Sequence, residues 1–305
     1  VYDVVIVGGG PAGLSAALVL ARCRRQVLIC DAGKPRNAAS RALHGYLTRD
    51  GVAPVEFLRL AREEVRQYGI EPRAATVTAI ACLNDGFRLT LEDGQTVSTR
   101  AVLLATGVQD QLPDVPGLQD CYGITVHHCP YCDGWEVRDK HLTVLGQGAA
   151  AAGLALSLKT WTRDVSVCTN GRARIHSRHR QQLDEHRIAV YESIIDRVDH
   201  LGGHVQRLLL TDGRTVPCDA IFFSTGQRPQ SELPKQLGCE LTSKGVVKTD
   251  HLGQTKIPGL YVAGDASRDV QFVVVAAAEG AKAAVAINKS LQARAGHAVD
   301  TAMAS

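Results

Sequence analysis

The sequence lacks a dominant charge. Its 34 Lys and Arg stand against 31 Asp and Glu, a formal net charge of +3 over 305 residues. That is too little to make nucleic acid or an anionic membrane the expected partner. It lacks an uninterrupted membrane span as well: the apolar C-terminal stretch is broken by Glu279 and Lys282. No signal-peptide pattern is present, since residues 1–7 read straight into a strand and a glycine loop, and a cytoplasmic location is expected. Nor is there a second Cys-x-x-Cys. The nine cysteines are odd in number, and Cys23, Cys30, Cys82 and Cys168 stand singly in apolar runs, as buried free thiols in a reducing compartment do. With 45% hydrophobic and 21% charged residues, the chain is long enough for two domains with sizeable cores.

What is present begins with the apolar, β-branched run Tyr2-Asp3-Val4-Val5-Ile6-Val7, the pattern of a buried parallel strand. Gly8-Gly9-Gly10-Pro11-Ala12-Gly13 follows, then a helix expected from Ala12 to about Arg24, then a strand over residues 26–30 ending at Asp31. The glycines Gly8, Gly10 and Gly13 allow a tight turn, a close approach of backbone to a pyrophosphate, and packing of helix on strand. The free N–H groups and dipole at the helix start favour the anion, and Asp31 is placed for ribose hydroxyls. Pro11 and Ala12 belong to the same loop. Ala105-Thr106-Gly107 and Gly264-Asp265 each end a strand and are candidates to close over the same dinucleotide.

The grammar recurs. A strand over 141–145 leads into Gly146-Gln147-Gly148-Ala149-Ala150-Ala151, a fingerprint with Ala151 in the third place, then a helix over 152–159 and a strand over 165–168. This implies a second nucleotide, NADPH or NADH. However, Thr169-Asn170-Gly171 provides neither an acid for a 2′-hydroxyl nor an arginine pair for a 2′-phosphate. A further repeat pairs residues 89–107 with 208–226 without a gap. Each copy is a hairpin turned at Asp-Gly, followed by a buried strand ending in Thr-Gly. The fold class is therefore α/β, with two Rossmann-like units, the second inserted into the first. Pro and Gly clusters put the boundaries at 1–114 with 247–305 for the outer unit and 115–246 for the inner one.

Between the two fingerprints stands His127-His128-Cys129-Pro130-Tyr131-Cys132-Asp133-Gly134. Two thiols one turn apart can cycle between dithiol and disulfide. Zinc is the rival, with Cys121, His127, His128, Cys129 and Cys132 as donors, but a second ligand pair is missing. In the redox reading Cys129 is the outer sulfur and Cys132 faces the other redox centre. Asp133 moves a proton to or from a thiolate, and either His127 or His128 serves as base.

Two dinucleotide folds, Cys129-x-x-Cys132-Asp133-Gly134 and Ala263-Gly264-Asp265 make the chain similar to the low-molecular-weight thioredoxin reductases over nearly its whole length. The resemblance implies FAD at the first fingerprint, NADP(H) in the inserted unit, electron exchange between the cysteines and the flavin, and a homodimer. Val270-Gln271-Phe272-Val273 stands in the place of that family's Arg-Gln-Ala stretch, and Phe272 and Val273 are taken as cofactor-contacting. Thr169-Asn170-Gly171 replaces its His-Arg-Arg. The His127-His128 pair and the segment Arg36-Asn37-Ala38…His44-Gly45-Tyr46-Leu47…Arg49-Asp50-Gly51 look more like the thioredoxin-reductase-like dithiol oxidases, which close disulfides in small natural products of the gliotoxin, holomycin and disulfide-depsipeptide kind. That branch implies a small-molecule dithiol as substrate, with electrons passing through FAD to O2 or NADP+. The alternative is an NADPH-dependent reductase of thioredoxin.

Overall fold

In β1 (Tyr2–Val7), Val4 and Ile6 face one apolar cluster while Val5 and Val7 face another. A strand buried on both faces needs a cover on each, and this one gets it. The computed structural model describes residues 1–242, 245–267 and 270–296. β1 leads through the glycine loop into α1 (Pro11–Arg22), where Gly10 is the N-cap and Pro11 begins the helix. Proline fits there because its missing N–H has no intrahelical partner at that position. β2 (Val27–Asp31), α2 (Pro54–Arg66), β3 (Arg73–Ala74), β4 (Val77–Leu83), β5 (Gly86–Leu91) and β6 (Thr96–Leu104) follow. β1 pairs in parallel with β2 and β6, and β2 with β3. β6 is long enough to change neighbours along its length: its first half runs antiparallel to β5, its second parallel to β1. The β5–β6 turn falls at Asp93-Gly94, with Gly94 at φ +80°.

The chain leaves this unit through β7 (Val108–Asp110). α3 (Leu118–Cys121), β8 (Val126–His127), α4 (Pro130–Asp133), β9 (Leu142–Leu145), α5 (Gly148–Leu158), β10 (Val165–Cys168), α6 (Ser177–Glu185) and β11 (Ala189–Tyr191) come next. Then come β12 (Ile195–Leu201), β13 (His204–Leu210), β14 (Thr215–Pro217) and β15 (Ala220–Phe223). Five strands form a parallel sheet in the order β11-β10-β9-β15-β8, and β12-β13-β14 form an antiparallel sheet. The parallel sheet again separates two apolar clusters: Leu145, Cys168, Ile221 and Phe223 lie in one, Val144, Val167 and Phe222 in the other. The chain returns through β16 (Gln227–Pro229), then α7 (Leu233–Gln236), β17 (Leu260–Val262), which extends the first sheet beside β6, and α8 (Val273–Arg294).

α8 closes the outer unit against α1 by means of small residues. A Cβ on Gly280 would overlap the Ala12 carbonyl, so the two helices approach as closely as backbone allows. The two compact units are 1–38 with 55–109 and 228–305, and 39–54 with 110–227. The crossings thus lie at 109/110 and 227/228, where the Pro and Gly clusters had placed them at 114/115 and 246/247. The segment 39–54 adds to the inner unit although it lies between elements of the outer one. No helix among the described residues is long and apolar enough to cross a membrane.

Candidate functional site

The first glycine loop is shaped by backbone crowding. Gly8 sits at φ +112° with its missing Cβ aimed into the Ala105 carbonyl, and a Cβ on Gly13 would overlap the Gly8 carbonyl. Gly10, by contrast, faces open space, with nothing within 4 Å of the position of a Cβ. A loop tightened on its inner side and open at its middle glycine fits a pyrophosphate at the start of α1. Asp31 lies directly beside it, its carboxyl carbon 2.7 Å from where a Gly9 Cβ would stand, and is held by Arg62 at 3.2 Å and the Gly33 N–H at 3.2 Å. Ala105 N–H donates to Val7 O, which brings Ala105-Thr106-Gly107 against the loop. Gly264, at φ +76°, is 3.0 Å from the Ala12 Cβ by the same measure, so Gly264-Asp265 joins the group. Phe272 is the extended N-cap of α8 and Val273 its first residue. The residues present therefore fit FAD: Gly8, Gly10, Pro11, Ala12 and Gly13 for its pyrophosphate and Asp31 for its ribose. Arg36 was not foreseen in this site; its guanidinium donates to Asp265 at 2.9 Å and Gln271 at 2.6 Å and links the two segments.

The second loop differs in one decisive contact. Gly148 N–H, at the start of α5, donates to Ala173 O at 2.8 Å, and the Arg174 carbonyl lies 3.6 Å from where a Gly148 Cβ would stand. Gln147 donates to Thr169 O, and Ala173 N–H donates to Glu192, which pins the 169–175 stretch over the loop. Gly146 is required because the Ser224 side chain fills the space of its Cβ, and Ala151 packs beside it. The Gly148 N–H, the first of this helix, is thus already paired within the protein.

Cys129 and Cys132 form a disulfide with their Cα atoms 5.3 Å apart. Cys129 is the extended N-cap of α4, and its carbonyl accepts from the Cys132 and Asp133 N–H groups. The turn ends at Gly134, whose N–H returns to Pro130 O; a Cβ there would meet the Trp161 ring at 2.8 Å. Tyr131, 71% exposed, stands edge-on to Trp161 with ring centroids 5.5 Å apart. Trp135, the other tryptophan of the chain, directly follows the turn in sequence. Cys121 lies apart from it in an apolar cluster, where burial pushes its thiol up to about 11. Among the described residues no group of three His, Cys, Asp or Glu is placed to hold a metal ion.

The two histidines alternate across the sheet. His127 packs on Phe222 and lies with Nδ1 3.3 Å from Asp133 Oδ1. His128 packs on Phe223 and lies 3.7 Å from Asp110. Only His127 shares a site with the acid of the cysteine turn. Burial holds the His127 imidazolium down to about 4, with the charge of His128 acting in the same direction and a hydrogen bond to Ile124 against it. Burial pushes the Asp133 carboxyl up to about 7, helped by Glu136 and opposed by His44. Both charged forms are disfavoured, so near neutral pH the two groups share one proton rather than form an ion pair. Asp110, its side chain only 2% exposed, accepts from Tyr122 at 2.8 Å and Gln227 at 2.9 Å. No sequence motif marks Asp110. Nothing in the spacing placed His44 beside the cysteine turn either; 92 residues of chain and the inserted segment 39–54 bring it to Glu136.

Comparisons with known proteins agree with this geometry. The profile of the family described as pyridine nucleotide-disulphide oxidoreductase matches residues 2–280. A probable thioredoxin reductase of Arthroderma benhamiae is 33% identical over 301 residues, covering 88% of this chain and 74% of that protein. Among solved structures, HlmI superposes with a TM-score of 0.92 at 36% identity, covering 97% of this chain and 94% of its own. A putative thioredoxin reductase TrxB of Bacillus anthracis superposes at 0.91 with 31% identity, covering 97% and 100%.

Proposed function

The chain belongs to the pyridine nucleotide-disulphide oxidoreductase family and is a flavin-dependent disulfide oxidoreductase; from that premise we propose that it is a dithiol oxidase, closing a disulfide in a small-molecule dithiol through Cys129 and Cys132. The observation that carries this reading is the contrast between the two glycine loops. The first is open at Gly10, while the second has its helix-start N–H engaged by Ala173. An enzyme that draws electrons from NADPH needs the second loop; one that passes them to O2 does not.

The steps follow from the residues at the turn. A substrate thiolate attacks Cys129 Sγ, the Cys129–Cys132 bond breaks, and Cys132 leaves as thiolate. The second substrate thiolate attacks the substrate sulfur of the mixed disulfide, releasing the product disulfide and the Cys129 thiolate. The two substrate thiols give up two protons and the cysteine pair gains two electrons. His127, neutral and 3.3 Å from Asp133, takes a proton from the incoming thiol and passes it along that contact once Asp133 has released its own. Bound FAD supplies the two-electron sink that restores the disulfide. Trp161 and Gly134 hold the turn so that both sulfurs keep their places. A homodimer acting in the cytoplasm is part of the same proposal.

The test is an anaerobic titration of the purified flavoprotein. Dithiothreitol should bleach the flavin in the wild type and leave it yellow in Cys129→Ser and Cys132→Ser, and air should restore the colour. NADPH should bleach it at least tenfold more slowly. Rapid bleaching by NADPH followed by reduction of thioredoxin would overturn the proposal in favour of a thioredoxin reductase.

A further inference from the structure

The segment 39–54 lies between elements of the outer unit in sequence and joins the inner unit in space. It is seated there at two points. At the first, Gly123, at φ +77°, lies against the Ala39 backbone, where any Cβ would overlap the Ala39 carbonyl group. At the second, the His44 ring stands between two carboxylates, Nδ1 3.6 Å from Asp50 Oδ1 and Nε2 3.5 Å from Glu136 Oε1. The ring is not placed by a loose loop. Leu43 N–H donates to Val52 O, Gly51 N–H to Leu43 O, and Gly45 N–H to Asp50 Oδ1 at 2.8 Å, while Leu43 itself is buried. Glu136 follows Asp133 by three residues, just past α4.

We propose that His44 and Glu136 are opposed positioning residues for Asp133: the imidazole carried in by the 39–54 segment offsets the Glu136 carboxylate and so sets the pH at which Asp133 releases its proton. This rests on the reading of Asp133 as proton carrier for the cysteine pair. The groups that bear on Asp133 are His127 from β8, Glu136 beyond α4 and His44 from the segment; Asp50 in turn faces His44, and His128 acts on His127. When His44 carries its proton it balances Glu136, and Asp133 ionises more readily. When His44 is neutral, the Glu136 charge is uncompensated and the nearby carboxyl keeps its proton to higher pH. The segment thereby couples the proton chemistry of the disulfide to a side chain that reaches the cysteine turn from 92 residues away in the chain.

The inference is tested by following the Asp133 carboxyl carbon by 13C NMR as a function of pH in the full-length protein, with the resonance identified by Asp133→Asn. His44→Asn should raise the titration midpoint and Glu136→Gln should lower it, each by at least about half a pH unit. His44→Lys, which restores a cation, should bring the midpoint back toward the wild-type value. Midpoints that stay in place, or that move in the same direction in both variants as a general loosening would produce, overturn the inference. The flavin-bleaching test above reads a separate property, so loss of the oxidase reading and loss of this one are told apart.

Discussion

Asp133 and His127 carry opposite proton linkages in one contact. A carboxyl whose proton affinity is raised by folding stabilises the protein in its neutral form; that contribution is complete below 3.8 and is lost as pH rises through about 7. An imidazole whose affinity is lowered contributes above 6.5 and loses that contribution as pH falls through about 4. Between these limits the two slopes oppose each other. Above about 7 only the cost of the buried carboxylate remains. Asp133→Asn should therefore melt higher than the wild type, by a margin that grows from pH 5 to pH 8; calorimetry showing a margin that shrinks with pH would contradict the burial argument. His127→Gln should slow reduction of the disulfide by dithiothreitol by about 100-fold, the scale of general-base catalysis. His128→Gln, on the other face of the sheet, should change it by much less.

The elements meet where side chains are smallest. Gly280 lets α8 touch the carbonyl of Ala12 at the start of α1, so the helix that ends the outer unit also fixes the anion-binding loop. Gly280→Ala should lower stability by about 1–3 kcal/mol and weaken FAD retention, since the added methyl meets rigid backbone. Gly153, exposed in α5 with nothing within 4 Å of a Cβ, provides the contrast. Gly153→Ala should raise stability by about 0.5–1 kcal/mol through helix propensity alone. Chemical denaturation of the two variants in parallel checks both signs. The cysteine turn works by the same rule: α4 is four residues long, and Gly134 exists because Trp161 occupies the place of its side chain.

For the whole molecule, each unit has its own pair of apolar clusters on the two faces of its own main sheet. Such units can open separately. Removal of FAD should lower amide-hydrogen protection in β1, α1, β6 and α8 and leave the strands β9, β10 and β15 unchanged. Equal loss in both units would show that the inner unit depends on the cofactor of the outer one. The segment 39–54 is the informative exception. Its protection should follow the inner unit, with which it clusters, although its chain neighbours belong to the outer.

The local grammar of the chain was sufficient for much of this. Strand, glycine loop, helix and acid are contiguous, so periodicity and spacing located β1, α1 and β2 to within two residues. The Asp-Gly turns located both hairpins for the same reason. The chemistry of the cysteine pair was legible because Cys129, Cys132 and Asp133 lie on one turn. What sequence order could not express are contacts made across it. His127 and His128 are adjacent and equivalent on paper, and only the alternation of a strand between two buried faces gives one of them Asp133 and the other Asp110. The Ala173 carbonyl on Gly148 and the arrival of His44 beside Glu136 depend on where loops come to rest. Local pattern determined which chemistry the chain holds; tertiary packing decided which histidine and which loop take part, because burial and proximity are properties of the folded chain and not of its order.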